Sequence, residues 1–575
     1  MSISYAPVFY YNKIENEKAV FSRAKEVHFG TSSCYFEGCG VINGTLVKDE
    51  KDLRGELIAG FSFRDSWNLC SGSYCAYIKR NDCLEIYPDP LGACLLFKYE
   101  DEKVIAYSSD MNELLFFIDN ELCAKVEPDI FYLALLLKVG NGAYGYTSYK
   151  NIKVIDSRVC ITITDQGVGE EVFFDFRCDE LKESNYEYYR DCAIADIKRN
   201  VKAVQESSIK NVICHITGGF DSRLVAAEIA RRDFSDKIYF FCSGPINTLD
   251  KKIAYGLAHD LNWKVTDFNG LISDGCSFED ELDFLKKGVG FASGMRANCV
   301  VNENHNKTDE FIILSGGYGE CLRSFYSHRT INEDLSSILK KNSLLTSGVE
   351  KRVEVLTKKY LDDYVLKGLR VDQALDLMYV EQRNRYFVGN IATLFSRKTP
   401  RLDPLYSING VKASLCLKAK ERADNRLGFD IMKEINKRFL GYSFNSKKFG
   451  DSVFEYSDIK KSDMLKSVAD YDNELHKHIF KEQCNSGYKR IMSKEDVDYA
   501  NKIKASPWQV SQYSKIQDAC NKLVVNIEDD GCLDKNYISD ILKKEKPQNR
   551  VELRDIFSLY SFLSFFEKNA NKAIE

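Results

Sequence analysis

The sequence predicts a strand-rich α+β N-terminal half, followed by an α/β half with a parallel sheet and helical additions. Up to about residue 165, short alternating segments such as GELIAGFSF, SYCAYIKR and SRVCITITD are separated by turn residues, a pattern typical of strands. From about residue 186 to 330, helical stretches alternate with the apolar runs NVICHI, KIYFFC and FIILSG, as a parallel sheet with crossover helices requires. Beyond residue 330, stretches such as SSILKKNSLL and VDQALDLMYVEQRNRYFVGNIATLF predict helices.

Composition places the chain among ordinary globular proteins. Its 575 residues carry 80 Lys and Arg against 85 Asp and Glu, and 44% are hydrophobic, so a disordered or polybasic protein is excluded. With a net charge of −5 we expect no nucleic-acid partner. No apolar run reaches the length of a membrane span, and the first residues lack the pattern of a secretory signal. We therefore expect a cytoplasmic protein with no membrane partner.

The 19 cysteines do not indicate a metal or disulfide framework. They are scattered from Cys34 to Cys532 without a C-x-x-C pair, and their number is odd. His476 and His478 are two residues apart, so they would not share a helix face. We expect most of the cysteines to be small buried hydrophobic residues.

The segment NVICHITGGFDSRLVAAEIARR carries the strongest functional signal. A buried strand leads into Thr217, Gly218 and Gly219, and an amphipathic helix follows at once. Adjacent glycines let the backbone turn tightly, and the N–H groups that open a helix point at negative charge. The hydroxyls of Thr217 and Ser222 add donors, so the pattern favours phosphate binding over a plain strand-to-helix turn.

Two other nucleotide-binding motifs are excluded. G-x-x-x-x-G-K-[ST] does not occur in the sequence. Gly140 to Gly145 match G-x-G-x-x-G, but they follow a helix-like stretch and lead into YTSYKNIKV rather than a helix.

TGGFDS resembles the S-G-G-x-D-S pyrophosphate loop of the asparagine synthetase family of ATP pyrophosphatases. Other segments agree in order: Ser243 and Gly244 follow the next strand, and Asp250 precedes Ala254 in the family's D-x-x-x-A arrangement. LSGGYGECLRSFY is similar to the family's S-G-E-G-S-D-E-L-F-G-G-Y, SRKTPRLDPLYS to its E-x-R-x-P-F-L-D, and NSKKFG to a segment with a catalytic lysine.

Upstream, YPDPLGACLLFKYEDEKVIAYSSDMNELL resembles the N-terminal glutaminase-like domain of the same family, an Ntn-type sandwich. The resemblance therefore implies a degenerate glutaminase-like domain over residues 1–165 and an ATP pyrophosphatase (PP-loop) domain with a helical C-terminal extension over residues 186–575. In the family, a cysteine after the initiator methionine attacks glutamine, whereas this chain has Ser2. Ser2 is then either an N-terminal nucleophile or part of a structural relic.

The chain departs from the family at several site positions. Glu320 stands where the family has a magnesium aspartate, and Arg323 offers a bidentate clamp for a phosphate or carboxylate. Tyr318 lies where β-lactam synthetase, a relative, would use a Tyr/Glu pair, but Ser396 replaces the matching glutamate. Arg383 and Arg385 lie on a predicted helix and have two interpretations, the lining of an acceptor site or a solvated face.

The resemblance implies a cytoplasmic AMP-forming carbon–nitrogen ligase that uses ATP and Mg²⁺, similar to β-lactam synthetases and lasso-peptide cyclases and without functional glutamine hydrolysis. Its partners would be a small-molecule, sugar or peptide carboxylate and an amine donor or ammonia, with a homo-oligomer or a pathway partner protein left open. Two alternatives are an asparagine synthetase acting on aspartate and a non-catalytic nucleotide-binding scaffold. Motif and resemblance together assign catalysis to Lys447, Lys448 and Tyr318, nucleotide binding to Ile216, Thr217, Gly218, Gly219, Phe220, Asp221, Ser222, Ser243, Gly244, Asp250 and Gly316, and the metal to Asp221 and Glu320.

Overall fold

The computed structural model of the chain describes residues 6–23, 26–234, 237–243, 248–266, 311–326, 335, 338–396, 399–446, 448–455, 492–524 and 531–564. Four groups of residues singled out in the sequence lie outside these ranges: Ser2, Gly244, Lys447 and the pair His476 and His478. Within the described ranges, no helix is both long and apolar enough to cross a membrane. Most of the cysteines in these ranges are buried and all of them are free thiols, as the sequence predicts.

Two antiparallel sheets form the N-terminal half. Their strands are β1 (Val8–Asn12), β2 (Glu17–Phe21), β3 (Val27–Phe29), β4 (Ser32–Ile42), β5 (Thr45–Val47), β6 (Cys70–Lys79), β7 (Leu84–Pro88), β8 (Phe97–Glu100), β9 (Val104–Ser108), β10 (Ile152–Val154), β11 (Val159–Thr164) and β12 (Gly167–Val172). The first sheet has the order β10-β8-β9-β1-β2, and the second has the order β12-β11-β7-β6-β4-β3 with β5 paired to β4. Phe9 of the first sheet meets Tyr77 of the second with ring centroids 5.2 Å apart, inside a core that both sheets share. The two sheets are therefore packed face to face.

Helices cover the outer faces of both sheets. They are α1 (Glu50–Ile58), α2 (Phe63–Ser66), α3 (Met111–Asn120) and α4 (Ile130–Lys138). Leu53 of α1 and Phe63 of α2 pack on the second sheet, while α3 and α4 pack on the first. The strand predicted for GELIAGFSF is wrong, because residues 55–58 belong to α1 and Phe63 begins α2. Asp49 caps α1 by accepting hydrogen bonds from the N–H groups of Lys51 and Asp52.

A four-stranded parallel sheet follows. Its strands are β13 (Asn211–His215), β14 (Ile238–Phe241), β15 (Phe311–Leu314) and β16 (Arg401–Leu402), and the helices of this region are α5 (Tyr186–Glu206), α6 (Asp221–Ile229) and α7 (Leu249–Asp260). The order is β14-β13-β15-β16, and every neighbouring pair is parallel. Antiparallel sheets in the first half and a separate parallel sheet in the second confirm the mixed α/β class. The first three strands are the three predicted apolar runs, whereas the two-residue β16 was not predicted.

The rest of the described chain is mostly helical. Its helices are α8 (Ser347–Leu366), α9 (Val371–Met378), a π-helix (Tyr379–Gly389), α10 (Asn390–Ser396), α11 (Ile408–Cys416), α12 (Ala419–Ala423), α13 (Arg426–Asn436), α14 (Ser452–Glu455), α15 (Lys494–Ile503), α16 (Pro507–Val524), α17 (Lys535–Ile541) and α18 (Arg550–Leu563). The helix predicted for SSILKKNSLL is wrong in its described part, since Leu345 forms a β-bridge with Leu533. Helices α16 to α18 share a core with α4 and the first antiparallel sheet. The C-terminal helices therefore pack on the N-terminal half.

Buried polar groups join the two halves. Asp89 is fully buried and accepts hydrogen bonds from the N–H groups of Ala93 (2.8 Å) and Cys94 (2.7 Å) and from the Tyr406 hydroxyl (2.7 Å). Burial raises the pKa of Asp89 to about 6, and these hydrogen bonds oppose the shift. One apolar core also runs from Val41 in the N-terminal half to the helices around the parallel sheet.

Candidate functional site

The loop between β13 and α6 lies at the centre of the parallel sheet. Strand β13 is flanked by β14 and β15, so the carboxyl ends of three parallel strands meet at this edge. Ligands of open α/β sheets bind at such an edge. Residues 216 to 220 form the loop, and α6 begins at Asp221.

Hydrogen bonds within the loop fix its shape. The N–H of Thr217 donates to the Ser222 hydroxyl at 3.0 Å, and the two hydroxyls are 3.0 Å apart. The N–H of Gly219 donates to Thr217 Oγ1 at 3.0 Å, and that of Gly218 donates to Asp250 Oδ1 at 3.1 Å. The preceding residue, Phe220, makes no side-chain capping bond to the first turn of α6. Anions are favoured near a helix N-terminus that has no side-chain cap.

A second loop packs against the first, backbone to backbone. A Cβ atom on Gly316 would lie 2.5 Å from the backbone nitrogen of Ser222, and one on Gly319 would lie 2.2 Å from Asp221 Cγ. Both distances are far inside van der Waals contact, so glycine is required at both positions. The close approach brings the chain after β15 to the N-terminus of α6.

Replacing Gly316 with alanine is expected to lower the free energy of unfolding by about 1–3 kcal/mol, because the backbone must shift to admit the methyl group. The matched control is Gly55→Ala, since Gly55 lies in the exposed middle of α1 with no atom near its added Cβ. The control is expected to gain about 0.5–1 kcal/mol. Urea denaturation measures both changes, and equal stability of the two variants would contradict the packing.

Arg323 binds the two carboxylates that the sequence assigns to a metal. Its guanidinium donates to both oxygens of Asp221, at 2.5 and 3.1 Å, and to Glu320 Oε1 at 2.5 Å. A fourth hydrogen bond reaches the carbonyl of Gly319 at 3.3 Å. Burial acts to lower the pKa of Arg323, but Asp221 and Glu320 outweigh burial and hold the pKa above its ordinary value. The sequence predicts that Arg323 binds a phosphate or a carboxylate through two hydrogen bonds. In the structure, the group that it binds in this way is the carboxylate of Asp221.

The two carboxylates predicted to bind magnesium lie close together, but their arrangement does not suit a magnesium ion. Asp221 and Glu320 converge, as a shared ligand requires, but the same guanidinium lies between their oxygens. Among the described residues, no group of three or more His, Cys, Asp and Glu side chains could hold a metal ion. The magnesium assignment is therefore a prediction that this geometry does not support.

Lys448 contributes a second cation beside the loop. Its side chain is half-buried, and its pKa is lowered first by burial and then by the nearby charge of Arg323. Asp221 and Glu320 act in the opposite direction. Lys448 therefore shares the electrostatic environment of the loop, whereas Lys447, the other lysine assigned to catalysis from the sequence, lies outside the described residues.

The segment that carries Lys448 is tied to the loop by two residues that the sequence did not indicate. Arg223 of α6 is fully buried and donates to the carbonyls of Tyr442 (2.9 Å) and Ser443 (2.6 Å). The Asn445 N–H donates to the Gly218 carbonyl at 2.9 Å, and its amide donates to Asp250 Oδ1 at 2.6 Å. Asp250, predicted to lie near the nucleotide, therefore anchors both chain segments of the site.

Polar side chains also line the neighbouring strand ends. Ser243 after β14 lies 3.4 Å from His215 Nε2, at the end of β13. Burial, and then the charge of Arg401, lowers the pKa of His215 to about 4. Arg401 of β16 donates to the Ser315 hydroxyl at 3.2 Å and to Asp403 at 3.1 Å. His215 is thus a neutral hydrogen-bonding group at neutral pH, beside a positively charged arginine.

Tyr318 follows Gly317 in the second loop, and the structure places its hydroxyl in the interior. The residue has a left-handed backbone with φ of 70°, and its ring centroid lies 4.8 Å from that of Tyr406. Its buried hydroxyl has no hydrogen-bond partner among the described residues, and neither has that of Ser396. Burial raises the pKa of Tyr318. These contacts pack the loop and give no direct support for the predicted catalytic role.

The interpretation of Arg385 as part of a solvated face is wrong. Its side chain is buried and donates to the carbonyls of Gly92 (3.0 Å) and Ile155 (2.8 Å), so it joins the π-helix to the N-terminal half. Arg383 points elsewhere, with its guanidinium 5.1 Å from the ring centroid of Phe325 and 5.6 Å from that of Phe387. The two arginines diverge because they are two residues apart on one helical segment.

Comparison with known proteins leaves the family of this chain open. No protein-family model matches it, and no curated protein matches its sequence. One similar structure is that of glutamine phosphoribosylpyrophosphate amidotransferase from B. subtilis, complexed with ADP and GMP. The match covers 55% of this chain and 69% of the amidotransferase chain, with 10% identity and a TM-score of 0.19. Another is a structure of the allosteric regulatory enzyme of purine biosynthesis. This match covers 49% of this chain and 72% of that enzyme's chain, with 9% identity and a TM-score of 0.17. Similarity this low carries no conclusion about the fold or function of this chain.

Proposed function

We propose that this chain is an ATP-dependent ligase that adenylates a substrate carboxylate and joins it to an amine. One observation carries the proposal: the glycine loop after β13 leads into a helix start without a side-chain cap from Phe220, with the half-buried cation of Lys448 beside it. A helix N-terminus and a nearby cation together suit a chain of phosphates. The resemblance of TGGFDS to a pyrophosphate loop supports the same assignment.

In this proposal the β- and γ-phosphates lie over the first turn of α6. The N–H groups that open the helix provide donors, together with whichever of the Thr217 and Ser222 hydroxyls does not donate to the other. Gly218 and Gly219 keep side chains out of the space above the loop. Ser243, near the neutral His215, lies at the adjacent strand end, where the nucleoside would bind.

The first step is adenylation. A carboxylate oxygen of the acid bonds to the α-phosphorus, the bond to the bridging oxygen of the β-phosphate breaks, and pyrophosphate leaves with that electron pair. In the second step the amine nitrogen bonds to the acyl carbon, the bond from that carbon to the AMP oxygen breaks, and AMP leaves. The amine proton passes to solvent. Lys448 stabilises negative charge that develops on the phosphate in both steps.

The product of the reaction depends on which acid and which nitrogen donor the site accepts. Ammonia with aspartate would make the chain an asparagine synthetase, and an amine within the same acid would give a ring. Ser2, the hypothetical nucleophile for glutamine, lies outside the described residues. We propose an amine or ammonia as the nitrogen donor, because this chain has Ser2 where the family it resembles has the cysteine that attacks glutamine.

A non-catalytic nucleotide-binding scaffold is a second candidate, and two observations favour it. The N–H groups of Thr217, Gly218 and Gly219 already donate to protein acceptors. In addition, Arg323 neutralises the carboxylates that would hold a metal. A scaffold of this kind would bind ATP without turning it over.

Pyrophosphate release from ATP separates these candidates. The purified chain is incubated with ATP, Mg²⁺ and a panel of amino acids, sugar acids and peptides, with and without ammonia. Release that depends on one acid is expected for the ligase, and release that depends on aspartate identifies an asparagine synthetase. ATP binding without release across the panel supports the scaffold. Failure to bind ATP at all contradicts both candidates.

A further inference from the structure

Arg323 stands at a position where a guanidinium has an unusual set of partners. It bridges Asp221 at the start of α6 and Glu320 in the second loop, two residues from different segments of the chain. Each of these carboxylates has an oxygen within 2.5 Å of a guanidinium nitrogen. The pair is therefore already neutralised in part by a cation that belongs to the protein.

This arrangement uses the donors of Arg323 almost fully. Both terminal nitrogens donate twice, to the Asp221 carboxylate, Glu320 and the Gly319 carbonyl. The side chain retains only 18% of its exposure, so few of these bonds compete with water. A bidentate bond between guanidinium and carboxylate is among the stronger polar contacts in proteins. Displacement of Arg323 would break four hydrogen bonds together.

The chain on either side of Arg323 is also held in place. The next residue, Ser324, donates its hydroxyl to Asp376 Oδ1 at 3.0 Å. Arg422, whose side chain is fully buried, donates to the other oxygen of Asp376 at 2.7 Å. Gly319, on the other side, lies too close to Asp221 to tolerate a side chain. The backbone that presents Arg323 is thus fixed from both ends.

We infer that Arg323 takes the place of a divalent cation at this loop, so that Asp221 and Glu320 do not form a metal site in the free protein. A divalent ion between these carboxylates would meet the permanent charge of Arg323 a few ångströms away, and the half-buried Lys448 adds to the repulsion.

Mn²⁺ is the probe for this inference, because its free ion is counted directly by electron paramagnetic resonance. The full chain, without nucleotide, is titrated with Mn²⁺ as the wild type and as Arg323→Ala and Arg323→Gln variants. We expect the wild type to show no saturable site, and each variant to show one with a dissociation constant at least about tenfold below the highest Mn²⁺ concentration tested, since one like charge has been removed. The double variant Asp221→Asn with Arg323→Gln is expected to lose the new site.

The control is Arg177→Ala, which removes an exposed arginine that also pairs with carboxylates. It is expected to leave Mn²⁺ binding as in the wild type. A saturable Mn²⁺ site in the wild type that the Arg323 variants leave unchanged would overturn the inference. Folded variants that gain no Mn²⁺ affinity would overturn it as well. Neither result depends on ATP turnover, so a failure here is distinguishable from a failure of the proposed function.

Discussion

Replacing Arg422 with alanine is expected to destabilise the chain by about 3–5 kcal/mol, the cost of removing one partner from a buried ion pair. The Arg422 side chain is fully buried and binds Asp376, Asp372 and the carbonyl of Leu417. Its loss leaves the buried carboxylate of Asp376 without its cation. Urea denaturation followed by circular dichroism measures the loss.

Arg177→Ala is the matched control for this prediction. Arg177 is largely exposed and pairs with the carboxylates of Asp179 and Glu180. Exposed ion pairs contribute little, so the control is expected to change the free energy of unfolding by less than about 1 kcal/mol. Similar losses of unfolding free energy in the two variants would contradict a stabilising role for the buried ion pairs of Arg422.

Lys448→Ala is expected to reduce the rate of acid-dependent pyrophosphate release by about 10²–10³-fold, the usual effect of removing one group that stabilises transition-state charge. The half-buried Lys448 shares the environment of Asp221 and Arg323, so it lies beside the phosphates in the proposed complex. The KM for ATP is expected to change less than the rate, because the cation acts mainly on charge that develops during the reaction.

Two lysines provide the controls. Lys437→Ala removes an exposed cation of the same region and is expected to leave the rate unchanged. Lys447→Ala decides between the two lysines of NSKKFG, and we expect the smaller effect there. A full loss in Lys447→Ala with normal activity in Lys448→Ala would move the catalytic lysine to position 447.

The sequence predicts the loop and its sheet because their signals are local. A buried apolar run, two glycines and an amphipathic helix are contiguous between Asn211 and Arg232, and the structure has β13, the loop and α6 in that order. The three apolar runs likewise became parallel strands. The strand β16 was not predicted, because two residues are too few to show an alternating pattern of apolar and polar side chains.

The partners of the site could not be predicted in the same way. The Arg323–Asp221 contact joins positions 102 residues apart, and a charged residue in a sequence does not indicate its partner. Arg385 lies in a polar, charged stretch that is typical of a solvated helix face. Its side chain nevertheless donates to the carbonyls of Gly92 and Ile155 in the other half of the chain. Tertiary contact decided both roles. The strand assigned to GELIAGFSF failed for a local reason, since the cap of Asp49 favours α1 over its short alternation.

The nucleotide product of turnover tests the proposed chemistry most directly. ATP labelled at the α-phosphate is incubated with the chain, the pooled acids and ammonia, and the labelled nucleotides are separated by ion-exchange chromatography. An adenylating ligase produces AMP that depends on the acid pool, and Lys448→Ala suppresses it. ADP as the labelled product, or unchanged ATP in a chain that binds it, would contradict adenylation at this loop.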